Sequence, residues 1–247
     1  MKGVILAGGT GSRLLPLTKV TNKHLLPMGH KPMILWPVGK LTEAGIRDIL
    51  IVTGTEHMGD IVNLLGSGAQ FGCEFTYKVQ DEAGGIAQAL GLARSFAGGG
   101  KICVILGDNI FEDALTSAVA AFEKQPAGAQ ILLKRVPDAN RYGVAELDKQ
   151  GKVVGIEEKP AAPKSDCAVT GVYFYDATVF DVIKSLKPSR RNELEITDVN
   201  NHYLRAGQLH CSFLKGWWTD AGTFKSLAHA NRLLGESGLD ADGKEPA

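Results

Sequence analysis

The first candidate for chemistry is a glycine-rich segment near the N-terminus, with the sequence LAGGTGSRL at positions 6–14. Its glycines directly follow an apolar run, so backbone N–H groups at the end of a first strand could face an anion. Arg13 adds a guanidinium group that can form two hydrogen bonds to phosphate oxygens. The segment predicts a phosphate-binding loop, and the alternative is an ordinary strand-to-helix turn with a solvated arginine.

Two well-known phosphate-binding patterns do not fit this loop. A Walker A motif requires Gly-Lys-Ser/Thr, whereas Gly11 is followed by Ser12 and Arg13. In the dinucleotide pattern GxGxxG, Gly9 and Gly11 fit, but Leu14 stands where the third glycine is needed. The mismatch argues against an NAD(P)-dependent oxidoreductase, which is the alternative from a different class of function at this point.

Three further side chains are of types suited to phosphate and metal chemistry. Lys23 lies downstream of the loop and could add a second cation, although an isolated lysine is more often a surface charge. Asp108 follows the apolar run ICVIL, where a parallel sheet can present a carboxylate to Mg²⁺, or it caps the next helix. Asp220, in the turn GWWTDAGT, is by itself most simply a turn residue beside core aromatics.

These residues need a scaffold that brings distant segments together. Apolar runs of strand length alternate with segments of helical period through the first half of the chain. The predicted strands span residues 3–7, 47–54, 74–80 and 101–108. The predicted helices span residues 32–45, 57–68, 85–96 and 112–124. The alternation predicts an α/β protein with a Rossmann-like, doubly wound sheet, whose ligands bind at the carboxyl ends of the strands.

The second half of the chain has a different pattern. YGVAELD at 142–148 and KVVGIEEKP at 152–160 flank a polar KQG and predict an antiparallel hairpin. Further strands are predicted at 168–176 and 208–214, and further helices at 177–186, 196–207 and 223–235. The sheet is therefore expected to be mixed, with a β subregion inserted on the substrate-facing side.

Composition restricts the classes of function. The 247 residues contain 27 basic and 27 acidic side chains, and this zero formal charge argues against binding of nucleic acid or a membrane surface by bulk electrostatics. The four cysteines lie far apart without a CxxC pattern, which favours reduced thiols over disulfides or a zinc site. No apolar stretch has the length of a signal segment or a membrane span, so we expect a cytoplasmic protein.

Eight segments, in order along the chain, together resemble the sugar nucleotidyltransferases. They read ILAGGTGSRLLPLTKVTNKHLLP, KVQDEAGGIAQAL, ILGDNIF, RYGVAELD, IEEKP, AVTGVYFYD, ELEITDVN and GWWTDAGT. The resemblance runs from residue 2 to about residue 235 and is strongest to members that use dTTP and glucose 1-phosphate. It implies an Mg²⁺-dependent reaction in which the sugar phosphate attacks the α-phosphorus of the nucleotide and pyrophosphate leaves.

The resemblance also implies roles for individual residues. The nucleotide would be bound by Leu6, Gly8, Gly9, Gly11, Arg13, Gln80, Gly85 and Asp108. The sugar phosphate would be bound by Tyr142, Gly143, Glu158, Lys159, Val169, Thr170, Arg191 and Glu193. Four cations would assist the reaction by offsetting phosphate charge, namely Arg13, Lys23, Lys159 and Arg191. Mg²⁺ would be held by Asp108 and Asp220.

The organisation implied by the resemblance is a single nucleotidyltransferase domain over residues 1–235. Its nucleotide-binding half would span about 1–135 and its sugar-binding half about 136–222, with a polar tail at 236–247. The chain looks like the short form of the family, without the C-terminal helical segment that contributes to a regulatory site. A homo-oligomer, either a dimer or a tetramer, is expected from the family.

Two alternatives stay open within this resemblance. Thymine and uracil share one hydrogen-bonding edge and differ by a methyl group, which is worth roughly 1–3 kcal/mol in a pocket. A uridylyltransferase, or an enzyme for another hexose 1-phosphate, is therefore the nearest alternative. A non-catalytic sensor of nucleotide sugars with the same fold is the alternative from a different class.

Overall fold

A computed structural model describes residues 1–239, and within them a nine-stranded mixed sheet forms the centre of the fold. The strands are β1 (Lys2–Ala7), β2 (Pro27–Met28), β3 (Lys31–Pro32), β4 (Asp48–Gly54), β5 (Glu74–Gln80), β6 (Ile102–Leu106), β7 (Asn109–Phe111), β8 (Ala129–Arg135), β9 (Gly143–Leu147), β10 (Val153–Glu158), β11 (Cys167–Tyr175), β12 (Leu209–Phe213) and β13 (Trp218–Asp220). The helices are α1 (Leu35–Glu43), α2 (Met58–Leu65), α3 (Ile86–Gly91), α4 (Arg94–Ala97), α5 (Thr116–Lys124), α6 (Val179–Ser185), α7 (Ile196–Arg205) and α8 (Phe224–Ser237).

The sheet has a parallel half and a largely antiparallel half. Its main path runs β10-β9-β11-β6-β1-β4-β5, with β8 joined to β11 and β12 joined to β8. Strands β6, β1, β4 and β5 are parallel, whereas β11 is antiparallel to β6, β8 and β9. The predicted mixed, doubly wound α/β sheet is confirmed, and so is the antiparallel hairpin of β9 and β10.

The three inner strands of the parallel half, β6, β1 and β4, are largely apolar because helices cover both of their faces, whereas the edge strand β5 is partly exposed. On one face Ile5 and Ile51 pack with α1, α2 and α5. On the other face Val4 and Val52 pack with α3, α4, α6 and α7. All four side chains are inaccessible to solvent. This double burial explains why β1, β4 and β6 appear in the sequence as nearly unbroken apolar runs instead of alternating patterns.

Two of the longer elements differ from the sequence-based prediction, and the short strands β2, β3, β7 and β13 were not predicted. The segment 85–96, predicted as one helix, forms the separate helices α3 and α4. At the junction the N–H groups of Leu92 and Ala93 bond to carbonyls three residues earlier, which tightens the backbone just after Gly91. Strand β8 was not predicted, because its apolar stretch at 131–133 lies between Gln130 and Lys134 and forms neither an alternating pattern nor a long apolar run.

A short two-stranded sheet links the middle of the chain to its C-terminal part. Strand β13 pairs antiparallel with β7, which places Asp220 opposite Asn109. Helix α8 follows at once, and its start is capped by reciprocal hydrogen bonds between Thr223 and Ser226.

The C-terminal region is described only in part. Helix α8 continues through Ser237, so the first residues of the predicted polar tail at 236–247 are helical. Residues 240–247 lie outside the described part of the chain. Among the helices of residues 1–239, none combines the length and the apolar character needed to cross a bilayer.

Candidate active site

The strands of the parallel half end at a cleft of about 640 Å³. Segments that are far apart in the sequence line its wall. Of the predicted site residues, the cleft brings together Leu6, Gly8, Gly9, Arg13, Lys23, Gln80, Gly85, Asp108, Tyr142, Gly143, Glu158, Lys159, Val169, Arg191, Glu193 and Asp220. Their convergence follows from the topology, because parallel strands present their carboxyl ends at the same edge of a sheet.

Two predicted site residues do not line the cleft. Thr170 is completely buried in β11, and its hydroxyl donates a hydrogen bond to the carbonyl of Leu132 at 2.9 Å. Its neighbours Val169 and Gly171 do reach the cleft, because side chains alternate between the two faces of a strand. The structure therefore does not bring the Thr170 side chain to the site.

Gly11, the second of these residues, shapes the loop from behind. It has a left-handed backbone (φ 61°), and a Cβ at this position would lie 2.8 Å from Cγ2 of Thr18. The Thr18 hydroxyl donates to the Gly11 carbonyl at 2.9 Å and holds the turn in place. Gly11 is thus needed for the conformation of the loop, and it does not form part of the cleft wall.

We call the region around the loop, Lys23 and Asp108 the glycine end of the cleft. The loop leaves β1 after Ala7 and passes so close to β5 that a Cβ on Gly8 would lie 2.7 Å from Oε1 of Gln80. Only glycine fits this approach without movement of Gln80. The result is a stretch of exposed backbone beside the cleft, which is a suitable surface for an anion.

A buried ion pair lies at the glycine end. The ammonium group of Lys23 is 2.6 Å from Oδ2 of Asp108, and each side chain is only 14% exposed. Burial by itself would raise the pKa of Asp108, but the charge and hydrogen bond of Lys23, helped by Asn109, hold it below its ordinary value. Asp108 is therefore a carboxylate at neutral pH and can accept a cation.

His24, the residue after Lys23, is buried as a neutral side chain. Burial, together with the adjacent charge of Lys23, lowers the pKa of His24 to about 3. Its ring Nδ1 and its backbone N–H both bond to Oδ1 of Asn22, at 2.8 and 2.9 Å. Because the amide oxygen only accepts, Nδ1 carries the proton and donates it to Asn22. This pairing fixes the short helical turn on which Lys23 lies.

Asp220 faces Asp108 across a narrow gap. Its Oδ1 accepts hydrogen bonds from the hydroxyl of Tyr142 at 2.8 Å and from Arg141 at 3.0 Å. A Cβ on Gly222 would lie 3.3 Å from Oδ2 of Asp220, 3.5 Å from Oδ2 of Asp108 and 2.9 Å from the guanidinium of Arg13. Two carboxylates and one cation from three segments thus all lie within 3.5 Å of one position beside the Gly222 backbone.

The two carboxylates beside Gly222 fit a hard divalent cation that shares its coordination with a ligand. Mg²⁺ is commonly held by one or two carboxylates together with substrate phosphates. Within residues 1–239, no group of three or more His, Cys, Asp or Glu side chains is arranged to hold a metal. A metal bound by Asp108 and Asp220 would therefore draw further oxygen ligands from a substrate or from water.

The opposite end of the cleft, which we call the carboxylate end, is built from charged side chains. Glu158 accepts from the Thr197 hydroxyl at 2.6 Å, and its other oxygen lies 3.3 Å from Arg191 and 3.5 Å from Lys159. Arg191 also contacts Glu193 at 3.5 Å and Glu195 at 2.8 Å. Partial burial would lower the pKa of Arg191, but these carboxylates raise it.

The hairpin of β9 and β10 explains how Glu158 and Lys159 reach this position. Its register places Glu158 opposite Gly143. The backbone N–H of Lys159 then bonds to the Tyr142 carbonyl at 3.0 Å. Lys159 adopts a left-handed backbone (φ 44°), which is uncommon for a residue with a Cβ. The turn redirects the chain after β10, at the edge of the cleft.

Sequence reasoning missed several residues that line the cleft or organise it. Arg141 lies beside Tyr142 in the segment RYGVAELD and was not selected, although it bonds to Asp220. Asn109 lies beside Asp108, and its Oδ1 accepts from the backbone of Gly171 and from the indole of Trp218. Other missed lining residues are Ala83, Ile86, Ala89, Leu106, Gly171, Tyr173, Glu195, Ile196, Thr197 and Trp218. Of these residues, the sequence could have indicated only those that adjoin a selected residue, such as Arg141 and Asn109.

Known proteins are similar to this chain over almost its whole length. A family model described as nucleotidyl transferase matches residues 2–237. A glucose-1-phosphate thymidylyltransferase of Xanthomonas campestris is 49% identical over 236 residues, covering 94% of this chain and 80% of the relative. One from Neisseria meningitidis is 46% identical over 233 residues, covering 93% and 81%.

Solved structures give a matching result. A Bacillus anthracis protein assigned as a glucose-1-phosphate thymidylyltransferase, crystallised in complex with sucrose, has a TM-score of 0.93 and 57% sequence identity. It covers 100% of this chain, which covers 98% of it. A UDP-glucose pyrophosphorylase complexed with UDP-glucose has a TM-score of 0.83 at 24% identity, covering 96% and 98% of the two chains, and indicates a shared fold.

Proposed function

The chain belongs to the nucleotidyl transferase family, and from this premise we propose that it joins dTTP to α-D-glucose 1-phosphate, giving dTDP-glucose and pyrophosphate. The observation that carries the proposal is the convergence of Arg13, Asp108 and Asp220, which all line the cleft and lie close together beside Gly222. The relatives named as glucose-1-phosphate thymidylyltransferases support this choice of the two substrates.

The proposed reaction is an in-line substitution at phosphorus. An oxygen of the sugar phosphate forms a bond to the α-phosphorus, and the bond from that phosphorus to the oxygen bridging to the β-phosphate breaks. Pyrophosphate leaves with the electron pair. The attacking oxygen is already anionic at neutral pH, so the reaction needs no general base. The task for the protein is to position two anions against each other.

The charge that opposes this approach is large. Two unit charges 4 Å apart repel by about 4 kcal/mol at an effective dielectric constant of 20, and several such pairs are present. We propose that the backbone of the glycine loop and Arg13 bind the triphosphate, while Lys23 offsets charge near the α-phosphate. Lys159 and Arg191 bind the sugar phosphate from the opposite end of the cleft.

Asp108 and Asp220 would hold Mg²⁺ in this proposal, because their oxygens are hard ligands that face one point. Bound there, the ion would stabilise negative charge on the transferring group and the leaving pyrophosphate. Tyr142 and Arg141 keep Asp220 oriented through the two hydrogen bonds to its Oδ1, and this leaves Oδ2 facing Asp108.

Recognition of the glucosyl group is assigned to the carboxylate end. Carboxylates accept hydrogen bonds from hydroxyl groups, so Glu158 and Glu193 suit a polyhydroxylated ligand. Thr197 and Arg191 already hold Glu158 in place without the sugar. Prior orientation of this kind reduces the entropy lost on binding. Cytoplasmic location and a homo-oligomeric state remain predictions from the sequence.

The first test is to measure pyrophosphate release with glucose 1-phosphate, Mg²⁺ and each of dTTP, UTP, CTP, ATP and GTP. We expect the highest kcat/KM with dTTP. A preference for UTP would instead favour the uridylyltransferase alternative. The proposed mechanism would be unchanged, because it does not depend on the base. Absence of turnover with these nucleotides and a panel of other hexose 1-phosphates would contradict the catalytic proposal and favour a sensor.

A further inference from the structure

A glutamine outside the predicted site contacts the predicted base-binding residue Gln80. Gln88 lies in α3 and is half-buried. Its Oε1 accepts two hydrogen bonds, one from Nε2 of Gln80 at 2.6 Å and one from the backbone N–H of Gly84 at 3.1 Å. Gln80 itself is the last residue of β5 and is 8% exposed.

The backbone N–H of Gly84 determines how both amide groups are oriented. A backbone N–H can only donate, so the atom of Gln88 that faces it must be the oxygen. That oxygen can then be approached by Gln80 only through its nitrogen. The Gly85 carbonyl, 3.4 Å from Nε2 of Gln80, requires the same orientation. Neither amide can rotate by 180° without placing two donors or two acceptors against each other.

Because Nε2 of Gln80 faces Gln88, its Oε1 points away from Gln88 and towards Gly8. Oε1 of Gln80 lies against Gly8, 2.7 Å from the point that a Cβ there would occupy. Both residues line the cleft at the place where the resemblance puts the nucleobase. Without a flip, Gln80 offers a base an acceptor and no donor.

We propose that Gln88 is a positioning residue that fixes the amide orientation of Gln80 and so selects bases with a donor at N3. This inference rests on the proposed function. Thymine and uracil carry N3–H and can donate to Oε1 of Gln80. Cytosine has an unprotonated N3, which would face the amide oxygen with two acceptors opposed, and an unpaired buried polar group is costly.

A substitution at Gly84 is a second, independent way to disturb the contact between Gln80 and Gln88. A Cβ at Gly84 would lie 2.5 Å from Cδ and Nε2 of Gln88 and 2.7 Å from its Oε1. The carboxamide of Gln88 therefore packs directly on the glycine backbone. In the variant Gly84→Ala the new methyl group displaces this carboxamide, while Gln80 and Gln88 keep their identities.

The test is the ratio of kcat/KM for dTTP to that for CTP, measured with saturating glucose 1-phosphate. We expect Gln88→Met to lower this ratio about tenfold. The variant loses the hydrogen bond that orients Gln80, and a tenfold change corresponds to the net free energy of about one hydrogen bond. Gly84→Ala should lower it in the same direction. Gln88→Glu should keep most of the wild-type ratio, because a carboxylate still accepts from Gln80 and Gly84. A ratio measured within one variant is unaffected by the fraction of protein that is folded.

A matched control is Gln70→Met, the same substitution at an exposed glutamine beyond the opposite end of β5. It should leave the ratio unchanged. If Gln88→Met uses dTTP and keeps the wild-type ratio, the inference is wrong. Equal loss of discrimination in Gln88→Glu and Gln88→Met would also contradict it, since the acceptor is retained in the first. A wild-type protein that uses neither dTTP nor UTP would instead overturn the proposed function.

Discussion

The glycine end and the carboxylate end of the cleft are built in contrasting ways. At the glycine end, glycines of one loop bring backbone close to β5, and the charged groups include Arg13 and the buried ion pair of Lys23 and Asp108. At the carboxylate end, Arg191 is surrounded by Glu158, Glu193 and Glu195 from two segments. The first arrangement suits an anion, and the second suits a ligand with many hydroxyl groups and one charged group.

The contrast shows how one cleft can bind two anionic substrates without a strongly basic surface. The glycine end uses backbone N–H dipoles, which add no net charge. The carboxylate end offsets its cations with acidic side chains that also accept hydrogen bonds from hydroxyls. The formal charge of the chain is zero, in agreement with such local compensation. Each of the following predictions tests one side of this contrast.

The largest effect is expected at the point between the two carboxylates. Asp108→Asn removes a negative charge and keeps the size and shape of the side chain. It should lower kcat by a hundredfold or more, because stabilisation of the transition state by a metal ion is worth several kcal/mol. Steady-state kinetics over a range of Mg²⁺ concentrations would measure it. Asp181→Asn, at an exposed aspartate paired with Arg94, is the control. Near-normal turnover of Asp108→Asn at ordinary Mg²⁺ concentrations would remove Asp108 as a metal ligand.

Two arginine variants should separate the two ends. Arg13→Ala should raise the KM for dTTP by about ten- to a hundredfold, the value of a charged hydrogen bond, and leave the KM for glucose 1-phosphate nearly unchanged. Arg191→Ala should do the reverse. The measurement is a matrix of initial rates with each substrate varied in turn. Equal effects of both variants on both KM values would show that the ends do not act separately.

A pH effect on stability is expected from the glycine end. His24 has a pKa lowered to about 3 in the folded protein, whereas an unfolded histidine titrates near 6.5. Its contribution is fully present above pH 6.5, and acidification lowers it because only the unfolded state binds the proton. At pH 5 this linkage reduces the free energy of unfolding by about 2 kcal/mol.

The check is urea unfolding at pH 7 and pH 5 for the wild type and for His24→Gln. The variant should lose less stability between the two pH values, whatever its stability at pH 7. If the free energy of unfolding changes by the same amount between pH 7 and pH 5 in both proteins, His24 is protonated in the folded state or does not remain buried. Thr42→Val, which removes no titratable group, serves as a comparison and should keep the pH dependence of the wild type.

The smallest effect is expected from a supporting contact at the carboxylate end. Thr197→Val removes the hydroxyl that donates to Glu158 at 2.6 Å. The KM for glucose 1-phosphate should rise about three- to tenfold, the value of one hydrogen bond, with an unchanged KM for dTTP. Thr42→Val, in helix α1, is the matched control. A change confined to the KM for dTTP would contradict the assignment of this end to the sugar.

Some elements could be predicted closely because their signals are local. Strand β5 was predicted with its observed bounds, and the β9–β10 hairpin was recognised from two strand-like segments around a polar turn. Strand β8 was missed because its apolar stretch at 131–133 is short and is flanked by Gln130 and Lys134, so the segment shows neither alternation nor a long apolar run. The break between α3 and α4 was missed because a glycine inside an apolar helical pattern does not specify which hydrogen bonds shift.

The candidate site shows the same division. Arg13 and Asp108 could be proposed from residue type and sequence context, whereas Asp220 was selected only through the resemblance of its segment to the family. Gln88 could not be selected in this way, because its role depends on the positions of Gly84 and Gln80, and no pattern in the sequence shows that the three are in contact. The Thr170 side chain lies away from the cleft, and a segment motif does not tell which face of β11 a residue occupies.

By itself, the sequence determined the alternation of strands and helices, the glycine loop, the types of charged residues and the resemblance to the sugar nucleotidyltransferases. These properties depend on local periodicity, on backbone freedom and on residue chemistry, all of which are written in neighbouring positions. Only the tertiary structure decided that Arg13, Asp108 and Asp220 surround one point and that Gln88 orients Gln80. The physical reason is that hydrogen bonds and charge pairs act over a few ångströms, and chain folding brings together residues that are far apart in the sequence.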